Sequence, residues 1–239
     1  QKIELPNHHT TEKCRENMKE DAGANLVAGG EGLLNKHDDE HRQNGESVLD
    51  EDVQMSENNI INGVKVDELF GTINAIKEMP GIAKFKFRAT NKWVNGGLNR
   101  TTINNFYGTQ KELTHKKSFE LDADEPPLLL GEDQGPNPVE YALTALASCV
   151  TTSIVYHAAA KGIKLNSVES KLEGDIDLRG FLGMSKEVSP GYKEIRMNFK
   201  IDSDASPDQL KELIEYAPSL SPVFSTITRA VPVSVKLAD

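Results

Sequence analysis

Cysteine is nearly absent from this chain, with two residues, Cys14 and Cys149, in 239. That excludes a disulfide scaffold and a Cys-rich zinc site. Aromatic residues are scarce at 6%, and none falls in the first 54 positions. Positive charge is short too: 27 Lys and Arg stand against 37 Asp and Glu, a net charge of −10. Residues 1–54 alone hold 6 basic and 13 acidic side chains. Neither part offers the positive excess that phosphate neutralisation needs, which argues against nucleic acid as a partner. A polybasic membrane anchor is excluded on the same ground. The glycine pairs at 29–30 and 96–97 match neither a P-loop nor a dinucleotide fingerprint, so no nucleotide cofactor is expected.

The longest apolar stretch, Pro138 to Ala160, is interrupted by Glu140, His157 and several Ser and Thr residues. A bilayer span wants about 20 predominantly apolar residues, so this reads as a helix buried in protein. The start, Gln1 to Pro6, lacks an apolar signal core, and a soluble cytoplasmic protein is expected. His37-Asp38-Asp39-Glu40-His41 matches a metalloprotease pattern on paper but lies in an acidic, aromatic-free stretch. It is read as a solvated charge run, and no metal is expected.

Three parts follow from composition. Residues 1–54 cannot bury enough apolar surface to offset their ordering entropy and are expected to be disordered. Residues 55–81 form an appendage: Val66, Leu69, Phe70, Ile73, Ile76 and Met79 mark one face of a helix that Pro80-Gly81 stops. Residues 82–239 form the main domain. It opens with strand patterns over Ala83–Val94, Thr101–Tyr107 and Leu113–Leu121, the first two joined by Asn95-Gly96-Gly97. Asn137-Pro138 starts a long helix that Gly162 ends. Strands follow at Val168–Leu178 and Tyr192–Ile201, then helices at Gln209–Tyr216 and from Ser221, then a strand at Val231–Leu237. The order β-β-β-α-β-β-α-α-β means an α+β fold with antiparallel sheets around a central helix.

Chemistry centres on Cys149, about three turns into the long helix. A thiol there is a packed small hydrophobe unless a cation reaches it, because the helix dipole acts only in the first turn. The residues themselves leave both readings open.

The run Gly135-Pro-Asn-Pro-Val-Glu-Tyr-Ala-Leu-Thr-Ala-Leu-Ala-Ser-Cys149 resembles the central-helix signature of the OsmC-like family, which includes the organic hydroperoxide resistance proteins. Trp93 followed by Gly-Gly and Arg100, and Ser221-Pro222-Val223 before Val231-Pro232-Val233, fit the same order. The resemblance covers about residues 82–239. It implies an intertwined homodimer with sites at the interface, and reduction of hydroperoxides by a peroxidatic cysteine, which a second cysteine then resolves. It maps Cys149 onto the peroxidatic cysteine and Arg100 onto the arginine that steadies the thiolate. Two positions depart. Ser221 stands where the resolving cysteine belongs, and Val139 stands at the carboxylate position, with Glu140 one residue later, about 100° round the helix.

Two functions are therefore expected. The first is a cytoplasmic thiol peroxidase without cofactor, with Cys149, Arg100 and Glu140 catalytic. Leu146, Val150, Phe224 and Ser221 would then line a site for organic peroxides, and an external thiol would regenerate Cys149. The second is a redox-inert dimer that holds an apolar small molecule in the same interface pocket.

Overall fold

The computed structural model describes residues 59–238. The acidic stretch 1–54, Cys14 and the His37–His41 motif lie outside the described residues. The described chain opens on a hairpin, β1 (Ile60–Ile61) and β2 (Val64–Lys65), turning at Asn62-Gly63. Both turn residues have positive φ, 54° and 76°, which Asn and Gly tolerate best. The Asn62 amide donates to the Ile163 carbonyl at 2.9 Å and accepts from the Leu165 N–H at 2.8 Å, tying the hairpin to the end of the central helix. Helix α1 (Val66–Glu78) follows the expected periodicity and buries Val66 and Phe70 against Ala159 and Ala160.

An antiparallel sheet comes next: β3 (Lys86–Phe87), β4 (Thr90–Asn95), β5 (Leu98–Gly108) and β6 (Lys111–Ala123). Strand β5 pairs with β3 and β4 along one edge and with β6 along the other. The strand expected over 83–94 is thus two pieces, interrupted at Arg88 and Ala89. Period-two alternation sorts the sheet into an aromatic face and a charged face. Phe85, Phe87 and Phe106 stack at centroid distances of 5.8–6.5 Å, and His115 sits between Phe106 and Phe119. Much of this face lies open, with Phe87 74% and Trp93 68% exposed.

The central helix, α2 (Pro138–Ala160), starts where Asn137-Pro138 predicts. The Asn137 side chain accepts from the Val139 N–H, and Glu140 accepts from the Asn137 N–H, a capping box. Leu146, Val150, Ile154 and Ala158, four residues apart, form a buried stripe. They pack with Leu213 and Ala217 and against the inner face of β7 (Leu165–Asp175) and β8 (Glu194–Ser203), through Leu172, Ile195, Met197 and Phe199. Each fully buried Leu, Ile or Val contributes about 1.5–3 kcal/mol. By length and composition α2 would suffice to cross a bilayer. One stripe of it is covered by protein within the subunit, while 28% of its most apolar stretch is buried in all.

Between β7 and β8 lies a short helix, α3 (Leu178–Phe181), in place of the last turn of the expected strand. Helix α4 (Pro207–Tyr216), a tight turn at Ala217–Leu220 and helix α5 (Pro222–Thr228) complete the core side. The expected strand at Val231–Leu237 does not pair among the described residues. Val233, Val235 and Leu237 are 83%, 91% and 99% exposed there. A β pattern supplies only propensity, and a ladder also needs an edge within reach. The architecture is α+β, with antiparallel sheets beside a long helix.

Candidate functional site

Opposite its buried stripe, α2 presents an exposed one: Ala145, Ser148, Thr152 and Tyr156, three or four residues apart. Cys149 lies between the two stripes, half-buried and free. It borders a groove of about 530 Å³ lined by Ala145, Ser148, Thr152, Ser153, Tyr156 and His157 of α2 and by Pro222 and Val223 of α5. The Ser148 hydroxyl donates to the Thr144 carbonyl at 2.8 Å, and the Thr152 hydroxyl donates to the Ser148 carbonyl at 2.9 Å. Both hydroxyls turn back on the helix and leave aliphatic atoms toward the groove. The lining contains no Lys or Arg.

His157 closes the far end, about 12 Å along the helix from Cys149. Its ring meets Tyr216 edge-on at 5.4 Å. Burial and the charge of Lys161 hold its pKa below the ordinary 6.5, and Lys161 itself pairs with Glu212 at 2.6 Å. The folded protein therefore keeps His157 neutral at a pH where the unfolded chain already protonates it. The resulting stability is present above pH 6.5 and is lost as pH falls from there toward the lower folded value. Urea unfolding at about pH 7.5 and pH 5.5 is expected to show that loss in wild type and a flatter response in His157→Gln.

Ser221 is fully buried at the start of α5, and its hydroxyl accepts the Phe224 N–H at 3.3 Å as a helix cap. The residue after it, Pro222, borders the groove. Glu140 is occupied by the capping box, its carboxylate 2.9 Å from the Asn137 nitrogen.

Arg100 is held away from Cys149 within the subunit. It makes two hydrogen bonds to Asp122, at 2.6 and 2.8 Å, with Glu120 at 4.0 Å. Thr101 and Leu121, the pair one position along, line the side of the sheet that faces Pro138 and Tyr141. Alternation therefore sends Arg100 and Asp122 to the opposite, charged face. These acids raise the Arg100 pKa well above its ordinary value, the Asp122 hydrogen bonds being the largest cause.

Leu146 and Val150, expected in the lining, are in the core instead, 5% and 1% exposed. Phe224 borders no part of the groove, whose apolar wall comes from Pro222 and Val223. The exposed stripe at 145, 148, 152 and 156 was the sequence signal for the true lining. It is inconspicuous because α2 carries apolar or small residues all round.

Asp124 opens the loop that follows β6. It is 2% exposed, and its carboxylate accepts the N–H groups of Glu125, Glu132 and Gln134 at 2.8, 3.1 and 3.2 Å. These bonds, that of Gln134 foremost, hold its pKa below the ordinary carboxylate value although burial opposes them.

Residues 131–236 match the family model described as OsmC-like protein. Among curated proteins none matches significantly. Solved structures similar to the chain include an OsmC-like protein from Mycoplasma pneumoniae, at 19% identity and TM-score 0.48, covering 60% of this chain and 87% of that one. An organic hydroperoxide resistance protein OsmC from Legionella pneumophila aligns at 17% identity and TM-score 0.41, covering 59% and 89%. The organic hydroperoxide resistance protein OhrB of Bacillus subtilis aligns at 18% identity and TM-score 0.39, covering 60% and 91%.

Proposed function

We propose that the chain is a thiol-dependent hydroperoxide reductase of the cytoplasm, acting through Cys149 in defence against oxidative stress. The observation that carries this reading is a free, half-buried thiol bordering a largely apolar groove, inside the segment that matches the OsmC-like family model. The Cys149 thiolate attacks the outer oxygen of R–O–OH. The O–O bond breaks, the alkoxide leaves and takes a proton as R–OH, and Cys149 becomes a sulfenic acid. An external thiol then condenses with it, releasing water and leaving a mixed disulfide. A second external thiol displaces the first as a disulfide and restores Cys149. Ser221 cannot take the resolving step, since its oxygen forms no disulfide.

The active form in this reading is a homodimer. The stacked face of Phe85, Phe87, Phe106 and Phe119 is too apolar to stay in water, and a second subunit would cover it. The cation the thiolate needs would come with that subunit, because the groove lining supplies none.

The test is intact-protein mass after brief exposure to stoichiometric cumene hydroperoxide, beside Cys149→Ser. A gain of one oxygen in wild type, reversed by a dithiol and missing from the variant, is the expected result. An unreacted Cys149 overturns the reading and favours a redox-inert dimer that holds an apolar molecule in the groove. The serine at position 221 is the observation on that side.

A further inference from the structure

The loop between β6 and α2, residues 124–137, is organised around one carboxylate. Asp124 gathers three N–H groups from the loop, and its own N–H donates to the Pro136 carbonyl at 3.4 Å. Asp133 closes the loop by donating its N–H to the Glu125 carbonyl at 3.2 Å. Gly131 and Gly135 have no room for a side chain, since a Cβ at either would overlap the carbonyl oxygen of Glu125 or of Asp122. From here the polar chain runs into the helix. The Asn137 side-chain amide donates to Glu125 and its carbonyl oxygen caps Val139, while Glu140 accepts the Asn137 N–H. The Tyr141 hydroxyl donates back to the Asp122 carbonyl at 2.7 Å, on the last turn of β6.

Packing does much less at this junction. A gap of about 290 Å³ separates the sheet from the first turn of α2, bounded by Thr101, Leu121, Ala123, Pro138 and Tyr141. A junction that is thin in apolar contact and dense in oriented hydrogen bonds takes its angle from the bonds, which are directional where packing is not. We infer that Asp124 is a positioning residue: it welds the aromatic sheet to the start of α2 and so sets how that sheet stands relative to the helix carrying Cys149. Asp124 touches no reacting atom. It acts through the loop, through Asn137 and through the register of the first turn. The consequence for activity rests on the peroxidase reading above, while the weld itself does not.

The experiment compares full-length wild type with Asp124→Asn. The amide variant keeps the size but puts N–H donors against N–H donors. Backbone hydrogen exchange is expected to rise at least tenfold at Glu132, Gln134 and residues 139–141, and to stay at wild-type rates over 150–158. The second-order rate for cumene hydroperoxide is expected to fall at least tenfold, while alkylation of Cys149 by iodoacetamide at about pH 10, where the thiol is ionised without help from a cation, keeps its rate. Unchanged exchange in the loop and first turn overturns the inference. So does an equal rise throughout α2, β7 and β8, or an alkylation rate that falls with the peroxide rate, since both mark a general role in stability. Should Asp124→Asn not yield folded protein, Glu125→Ala removes the acceptor of the Asn137 amide and leaves the backbone bonds of the loop in place. Exchange at 139–141 should then rise at least threefold, and no rise is equally fatal. If wild type shows no Cys149-dependent peroxide reduction, the peroxidase reading fails, and the exchange data still decide on Asp124.

Discussion

Replacing Ser221 by cysteine is expected to give Cys149 a resolving partner, raising the chain's thiols from two, Cys14 and Cys149, to three. Treated with one equivalent of cumene hydroperoxide, Ser221→Cys should lose two titratable thiols and gain an intrachain disulfide between Cys149 and the new thiol. Wild type under the same conditions should stop at the sulfenic acid. The reasoning is positional: position 221 is fully buried, and the next two residues, Pro222 and Val223, share the groove with Cys149. The substitution also removes the hydroxyl that caps α5, at a cost of about 1 kcal/mol. Turnover with a dithiol should rise, because a disulfide shields the sulfenate from further oxidation. Non-reducing peptide mapping reads the bond directly. Two free thiols after oxidation would place position 221 out of reach of Cys149.

The largest stability effect is expected at Leu213→Ala. Leu213 is fully buried on α4 and packs in the cluster formed by the inner stripe of α2, beside Ala217. Truncation removes transfer free energy and leaves a void that β7 and β8 fill poorly, costing about 2–5 kcal/mol. For a domain held by about 5–15 kcal/mol that is a large share. Urea unfolding should show a lower midpoint with an unchanged slope. Cys149 lies away from this stripe, so the folded fraction should keep its reaction with hydroperoxide. Loss of reactivity before loss of fold would mean that Leu213 shapes the groove as well.

How far the sequence discloses this molecule depends on whether the signal is local. Asn137-Pro138, Ser206-Pro207 and Gly162 mark helix ends by capping and backbone chemistry that act within four residues, and α2 and α4 begin or end where they say. Asn62-Gly63 is an equally local hairpin signal, but a faint one in the sequence because the strands it joins are only two residues long. Leu146 and Val150 went to the wrong side because a helix that is small or apolar all round hides its phase. Arg100 is a different case. Its neighbours in sequence are polar on both faces, and only the pairing with β6, twenty-two residues later, shows that it faces Asp122. Val231–Leu237 has the composition of a strand, but pairing is a property of two segments, and no second one lies beside it among the described residues.

The two faces of the aromatic sheet respond in opposite ways to the solution around them. On the charged face, Arg100 with Asp122 and Arg88 with Glu112 are exposed pairs of the kind that salt screens and that contribute little. On the other face, excluded salts such as sulfate raise the cost of wetting Phe85, Phe87 and Trp93. Ionic composition is therefore expected to act unequally on the two faces: sulfate favours any arrangement that covers the rings, and the ion pairs behind them scarcely register the change.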